Sequence, residues 1–435
     1  MALLENIQNN HSAFLDTLKH RFLDESRVSA LKKFFHAGFP TRKDEEYRYT
    51  NLREITEKDY NLFPTEHHNI TKEQLDELHL GEENFDWIVF INGQLHKELS
   101  KVSIENVEFM SFKHALNDDR YKEVFNKYFN KIADPELAFT NLNLAYCRNG
   151  FFMKAPKNVV IEKPIHVFYL SQNQKENTFY NTRNLLIAEE SSKVEVIESH
   201  HNFDNTYVLT NSVTEIFTYS NAKADWHKLQ NDNDTSYLID STFARQEKDS
   251  LTTVNTFSFG GKLVRNNLDF IHNGSNINSF MNGITIIGKD QLVDHHTAVH
   301  HNFPNCESYQ NYKGIFDGKS HGVFNGKVFV DKIAQKTNAY QQNNNVLLSE
   351  GAIIDTKPQL EIFADDVKCS HGCTVGQLNE DAMFYLRARG ISKKEAQALL
   401  LYAFANDAMQ NIDIEPLKQK ISKLLAEKLE VDIEF

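Results

Sequence analysis

Two groups of histidine and cysteine could carry chemistry in this chain. The first is the run Cys369-Ser370-His371-Gly372, in which a thiol and an imidazole stand two residues apart. On an extended strand these two side chains would share one face. A thiolate beside an imidazole can ligate iron or a cluster, or it can form a nucleophilic Cys–His pair. A buried thiol beside a hydrogen-bonded histidine is the simpler interpretation of the same pattern.

A further cysteine, Cys373, lies four positions after Cys369. No second pair stands near this C-x3-C spacing, so the sequence does not support a structural zinc site. No Gly-rich oxyanion motif accompanies Cys369 and His371, which disfavours a hydrolase. In a reducing compartment we expect the cysteines to remain thiols rather than form disulfides.

The second group is the run Asp294-His-His-Thr-Ala-Val-His-His301, which places four imidazoles and a carboxylate close together. Such donors could bind zinc or iron. On a strand, His296 and His300 would point to one face, and His295 and His301 would point to the other. An exposed polar strand is the favoured interpretation, and a metal-dependent enzyme is the remote alternative.

Composition excludes several classes of function. The net charge is −13, and an acidic chain without a long Lys/Arg run is a poor nucleic-acid binder. The longest apolar run, 398–405, is far shorter than a membrane span needs. No phosphate-binding loop or dinucleotide motif is visible, so we expect no ATP site on this chain. No secretory signal is visible either, which predicts the cytoplasm.

The elements that must position these residues fall into three regions. Residues 1–155 mix helical and strand patterns, with a strand predicted over 87–91 and the hairpin signal Asn92-Gly93 after it. The polar and aromatic segment 41–50 is interpreted as a solvated turn leading into a helix.

Residues 156–372 carry many short β-rich runs that alternate apolar with polar side chains. Asn, Asp, Ser and Gly separate these runs, and no long helical pattern lies between them. A wound βαβ sheet is therefore unlikely, whereas a sandwich, a barrel and a stacked solenoid all stay open. Polar corners that hydrogen-bond from coil to coil would suit a β-helix.

Residues 373–435 read as helical. A helix is predicted from Asn379 to Arg389, and Ser392 with Glu395 forms a capping box that opens the next one. A last helix begins near Pro416. The apolar stripes of these helices most often pack onto the same protein, and a partner surface is the second choice.

Beyond these local patterns, several motifs resemble the SufB/SufD family of iron–sulfur cluster assembly scaffolds, over nearly the whole chain. The runs that carry the resemblance are YKGIFDGK at 312–319, FNGKVFV at 324–330, AYQQ at 339–342, DTKPQLEI at 355–362, ADDVKCSHG at 364–372, DHHT at 294–297, EEYRYT at 45–50, FING at 90–93 and LN at 142–143. The runs TVGQ at 374–377 and YLRARG at 385–390 are more similar to the SufD branch than to the SufB branch. Two positions depart from the family pattern: Cys373 stands where alanine is usual, and His300 where many members have aspartate.

The resemblance implies a mainly β protein, a right-handed parallel β-helix flanked by an N-terminal helical or mixed region and a C-terminal helical domain. It implies a non-enzymatic scaffold that pairs with a SufB-type paralogue through the β-helix. The C-terminal domain, 373–435, would bind the ABC-type ATPase SufC, which would supply ATP hydrolysis.

The resemblance also implies where a transient iron–sulfur cluster, or iron, would lie: at the interface with the SufB-type partner. His371 is the implied ligand or iron-entry residue, and Cys369 is a weaker candidate. Cys373 and His296 are further metal-ligand candidates. The alternatives are a SufB-type subunit that holds the nascent cluster itself, and the His-rich metal enzyme.

Overall fold

The computed structural model describes residues 2–18, 22–81, 84–102, 107–409 and 412–429. All nineteen strands of the described residues belong to two sheets, one with 10 strands and one with 9, and from Ile165 onward the chain visits these sheets alternately. Each turn therefore adds one strand to each sheet, in parallel with the strand of the turn before. The result is a parallel β-solenoid of about 8 turns, which confirms the predicted β-helix.

The strands are numbered along the chain. They are β1 (Asp86–Ile91), β2 (Gln94–Leu95), β3 (Glu108–Ser111), β4 (Phe151–Ala155), β5 (Ile165–Ser171), β6 (Thr178–Ala188), β7 (Lys193–Asn202), β8 (Val208–Thr218), β9 (Lys223–Gln230), β10 (Ser236–Gln246), β11 (Leu251–Ser258), β12 (Leu263–His272), β13 (Asn278–Ile287), β14 (Leu292–His301), β15 (Glu307–Phe316), β16 (His321–Val330), β17 (Asn338–Leu347), β18 (Ile353–Ile362) and β19 (Lys368–Gly376). One sheet has the order β19-β17-β15-β13-β11-β9-β7-β5-β1-β2, and the other has the order β18-β16-β14-β12-β10-β8-β6-β4-β3.

Helices flank the solenoid at both ends of the sequence. They are α1 (Ala2–Asp16), α2 (Asp24–Ala37), α3 (Arg53–Thr56), α4 (Lys72–Asp76), α5 (Phe112–Leu116), α6 (Lys122–Tyr128), α7 (Ala138–Tyr146), α8 (Glu380–Ala388), α9 (Lys393–Asn406) and α10 (Glu415–Lys428). The predicted hairpin is confirmed, because β1 and β2 pair antiparallel around Asn92 and Gly93. The predicted capping box at Ser392 and Glu395 is also confirmed.

The interior of the solenoid explains the alternating pattern of its strands. One apolar cluster draws on both sheets, with Val196, Trp226 and Val254 from one side and Ile216 and Val299 from the other. Each such residue alternates with side chains that point outward. Corners recur once per coil at residues with positive φ, for example Asn276 and Asn305, both at 60°. Asparagine tolerates this left-handed conformation, which accounts for its frequency between the strands.

The outer faces of the two sheets are covered by different parts of the chain. Helices α1, α2 and α7 pack on the outer face of the even-numbered sheet, where a buried ion pair joins Arg183 to Glu215 at 2.6 Å. Backbone N–H groups of Asn130, Lys131 and Ile132 donate to the same carboxylate. Helices α9 and α10 pack on the odd-numbered sheet, so their apolar stripes do pack onto their own protein, as predicted.

The interpretation of segment 41–50 as a solvated turn leading into a helix is confirmed for most of its residues, which are exposed and precede α3, but it is wrong for Tyr47 and Thr50. Residues Glu45–Tyr47 form a short 3₁₀ turn that lies on the solenoid, and Tyr47 and Thr50 are buried there. The guanidinium of Arg265 lies 3.8 Å from the centre of the Tyr47 ring, and the Thr50 hydroxyl donates to Asp294. Local composition predicted exposure because the partners of these side chains lie more than two hundred residues away.

In the part of the chain that the structure describes, no helix is long and apolar enough to span a bilayer.

Buried histidines make the stability of this fold depend on pH. Burial lowers the pKa of His301 to about 3. The ring forms one hydrogen bond, between Nε2 and the Ser308 hydroxyl oxygen at 2.8 Å. The unfolded chain binds a proton at this histidine near its usual pKa of about 6.5. The stabilisation is therefore complete above that pH and is lost as the pH falls from about 6.5 towards 3.

When the pH falls from 7.5 to 5.5, the free energy of unfolding decreases. We expect this decrease to be about 1 kcal/mol smaller in His301→Gln than in the original chain, because glutamine does not titrate. Urea unfolding of both proteins at the two pH values measures this difference. The matched control is Val299→Ala, a buried inward residue of the same strand that does not titrate, which should lower stability equally at both pH values. An equal effect of both substitutions on the pH dependence would contradict the prediction.

Candidate functional site

The candidate site lies at the last coil of the solenoid, which we call the terminal coil and define as strands β18 and β19. These strands are the outermost members of their two sheets. At the opposite end the outermost strands are β2 and β3, which pair antiparallel with their neighbours. Most residues of β19 are exposed, whereas alternate residues of the preceding strand β17 are buried. The terminal coil therefore exposes backbone groups and side chains at positions that, in every earlier coil, are covered by the coil that follows.

Cys369, His371 and Cys373 occupy the inward-facing positions of β19. They stand in register with Ala339, Gln341 and Asn343 of β17, all of which are buried in the solenoid interior. On the terminal coil the same direction leads to the open end. Cys369 is half-buried, and His371 and Cys373 are exposed.

This placement overturns the interpretation of the motif as a buried thiol beside a hydrogen-bonded histidine. His371 is exposed because no further coil covers it, although its strand pattern resembles that of interior strands. The prediction that Cys369 and His371 share a strand face is confirmed by their register with β17.

The spacing on the strand limits which residues can act together. Residues two apart on a strand are about 6.6 Å apart, and residues four apart about 13 Å. Since a metal–sulfur bond is about 2.3 Å, one ion cannot reach both Cys369 and Cys373. The Cys373 thiol instead contacts the Thr356 hydroxyl across the interior at 3.4 Å. His371 can join either cysteine, but not both, on one ion.

Electrostatics favours the imidazole over the nearest thiol. Burial raises the pKa of the Cys369 thiol, which keeps the thiolate form, the form that ligates metal, scarce at neutral pH. Among the described residues no group of three or more His, Cys, Asp or Glu side chains is arranged to hold a metal ion. A metal at His371 would therefore need ligands from a second surface that approaches the open end.

The histidines of β14 do not form one site. Their division between two faces is confirmed: His295 and His301 are buried inside, while His296 and His300 face outward. The favoured interpretation as an exposed polar strand is wrong, because β14 is an internal strand with neighbours on both sides. Burial lowers the pKa of His295 to about 4, and its ring contacts the Thr285 hydroxyl at 2.9 Å.

His296 is held by the N-terminal segment instead. Its Nδ1 lies 2.9 Å from a carboxylate oxygen of Glu46, and its Nε2 lies 2.9 Å from Asp294. Lys327 contacts the other Glu46 oxygen at 2.5 Å. The hydrogen bond with His296 lowers the pKa of Glu46 to about 2, against the opposing effect of burial. With both ring nitrogens facing protein carboxylates, His296 fastens segment 41–50 to the solenoid and has no free nitrogen for a metal.

The structure also reveals exposed aromatic residues that the sequence analysis missed. Phe384 and Tyr385 on α8 are 75% and 55% exposed, whereas the apolar stripes of α9 and α10 are buried. None of the α8 residues is buried. The sequence feature that could have indicated this exposure is a pair of adjacent aromatic residues in a helix that is too short and polar to need both for packing.

Comparison with known proteins matches the chain along nearly its whole length. The model of the SufBD protein N-terminal region matches residues 4–167, and the model of the SUF system FeS cluster assembly SufBD core domain matches residues 169–404. The iron–sulfur cluster assembly protein SufD of Escherichia coli is 30% identical over 404 residues, which cover 92% of this chain and 91% of that protein.

Two further relatives agree. A SufBD family iron–sulfur cluster assembly protein of Synechocystis is 30% identical and covers 89% of this chain and 87% of its own length. The chloroplastic protein ABCI7 of Arabidopsis thaliana is 29% identical and covers 89% of this chain and 82% of its own length. Two family models that together cover residues 4–167 and 169–404, with a relative that is 30% identical over 92% of the chain, show that this chain belongs to the SufB/SufD family of iron–sulfur cluster assembly proteins.

Proposed function

We propose that this chain is the SufD-type scaffold subunit of a cytoplasmic SufB–SufC–SufD complex, and that His371 admits or ligates iron where it meets a SufB-type partner. The observation that carries the proposal is the exposure of His371, with the half-buried Cys369 beside it, at inward positions of an uncovered terminal coil. The chain's membership of the family supports the complex. A scaffold role without catalysis of its own fits this arrangement.

The terminal coil suits a paralogue as its partner. The outer edges of β18 and β19 are edges of extended sheets, and such edges pair readily with another strand. Large apolar residues are exposed beside these edges: Ile353, Ile362, Phe363 and Val375. A second solenoid of the same kind offers complementary strand edges and would bury these side chains. Pairing there would also bring a second set of ligands to His371.

The C-terminal domain suits the ATPase subunit. Helices α9 and α10 are committed to the solenoid, and Asp407 beside them contacts Lys313 at 3.1 Å. Helix α8 leaves Phe384 and Tyr385 in solvent. Exposed aromatic residues of this kind commonly supply most of the binding energy of an interface. The two proposed partners therefore contact separate surfaces.

We expect His371→Ala to reduce iron uptake and cluster formation by the assembled complex about tenfold or more, since an imidazole ligand is lost. The complex itself should still form, because the substitution removes no strand pairing. Iron content and visible absorption after anaerobic assembly measure the effect. The matched control is Ser370→Ala, the adjacent residue on the opposite face of β19. Normal cluster formation in His371→Ala would remove this residue from the mechanism.

We expect the double substitution of Phe384→Ala and Tyr385→Ala to weaken binding of the ATPase subunit about tenfold or more and to spare pairing with the SufB-type partner. Phe363→Glu should do the opposite, since it places a charge beside the strand edges of the terminal coil. Pairwise affinity measurements with each partner test both statements, and each variant controls for the other. Loss of both partners in either variant would contradict the separation of surfaces.

Reconstitution of the isolated chain distinguishes the SufD-type role from the SufB-type alternative. With iron and sulfide under anaerobic conditions, we expect the chain alone to stay colourless, because its described residues offer no three-ligand group. The complex should develop visible absorption. A stable cluster on the isolated chain would favour the SufB-type role.

A further inference from the structure

A ladder of buried amide side chains runs beneath His371 inside the solenoid. Gln310 of β15, Gln341 of β17 and His371 of β19 are register partners in successive coils. The Thr297 hydroxyl donates to Gln310 Oε1 at 2.7 Å, and Gln341 Nε2 donates to the same oxygen at 3.0 Å. Both glutamines are fully buried. Gly326 makes room for the ladder, because a Cβ atom there would lie 2.2 Å from Gln341 Nε2.

One acceptor and one donor of this ladder are left over. Gln341 Oε1 and Gln310 Nε2 are buried and have no hydrogen-bond partner among the described residues. Burying such a group without a partner destabilises the fold, so a polar neighbour at the uncovered end of the solenoid would be favoured. The nitrogen of the amide faces Gln310, and the oxygen lies on the other side of the same carbon. The oxygen is therefore the group of Gln341 that Gln310 leaves unused, and the register partner of Gln341 on the other side is His371.

We propose that Gln341 is a positioning residue for His371: its side-chain carbonyl accepts one imidazole N–H and leaves the other ring nitrogen for iron. In-register side chains of adjacent parallel strands are about 4.8 Å apart at the backbone, within reach of such a bond. A histidine that ligates a metal commonly donates its second N–H to a carbonyl or carboxylate, which sets the tautomer and the ring orientation. The iron role rests on the function proposed above for His371, whereas the hydrogen bond does not.

Two substitutions separate the parts of this proposal. Gln341→Leu removes the acceptor, and Gln341→Glu keeps an acceptor but removes the amide donor. The matched control is Asn343→Leu, which alters a buried amide on the same face of β17 but lies beneath Cys373 rather than His371. A role confined to packing would make the two leucine variants alike.

The first measurement reads the His371 tautomer in the full-length chain. Protein with ¹⁵N-labelled histidine is compared by NMR at a pH where imidazole is neutral, and the His371 signal is assigned by its absence in His371→Ala. We expect one dominant tautomer in the original chain, in Gln341→Glu and in Asn343→Leu. We expect mixed tautomers in Gln341→Leu. An unchanged His371 signal in Gln341→Leu would overturn the positioning role.

The second measurement is ferrous iron uptake by the assembled complex. We expect Gln341→Leu to weaken uptake about 10–100-fold, the usual effect of losing such an outer partner, and Gln341→Glu to restore most of it. If Gln341→Leu alters the tautomer but leaves uptake at the level of the original complex, the positioning role for iron is overturned. If His371→Ala also leaves uptake unchanged, the function proposed for His371 falls, and the tautomer result still decides the hydrogen bond.

Discussion

The backbone hydrogen bonds between successive coils are the constraint on which the rest of this structure depends. Each strand of the solenoid uses its N–H and C=O groups on the strands of the coils before and after it, and a backbone group buried without a partner is costly. Every coil is therefore completed by the next one. At the first coils the outermost strands are the hairpin strand β2 and the antiparallel strand β3. No further coil follows the terminal coil within the described chain.

The exposure of the cysteine and histidine side chains on β19 follows from the absence of a coil beyond the terminal coil in the described chain. The positions of Ala339, Gln341 and Asn343, which are buried on β17, are those of Cys369, His371 and Cys373 on β19. The same alternation that fills the interior therefore directs these side chains towards the open end. A straight strand holds them too far apart to surround one ion. The metal site proposed at His371 would therefore need ligands from a partner.

The flanking domains leave this end free because they are fastened elsewhere. The N-terminal helices are held on one sheet by the buried pair of Arg183 and Glu215, and segment 41–50 is held by Glu46 on His296 and Lys327. The C-terminal helices bury their apolar stripes against the other sheet. Charged and polar residues thus specify where the N-terminal elements lie, and apolar burial holds the C-terminal helices on the other sheet.

Local sequence determined the elements whose causes lie within a few residues: the hairpin at Asn92-Gly93, the helix cap at Ser392, and the opposite directions of His295 and His296 on one strand. The family motifs determined the fold class. Tertiary structure alone decided that segment 41–50 is docked, that β14 is internal while β19 is uncovered, and that Gln341 lies beneath His371. These contacts join residues thirty or more positions apart, and they depend on the register in which coils stack. A strand carries the same period of two whether or not another coil covers it, so its own pattern cannot show which coil is the last.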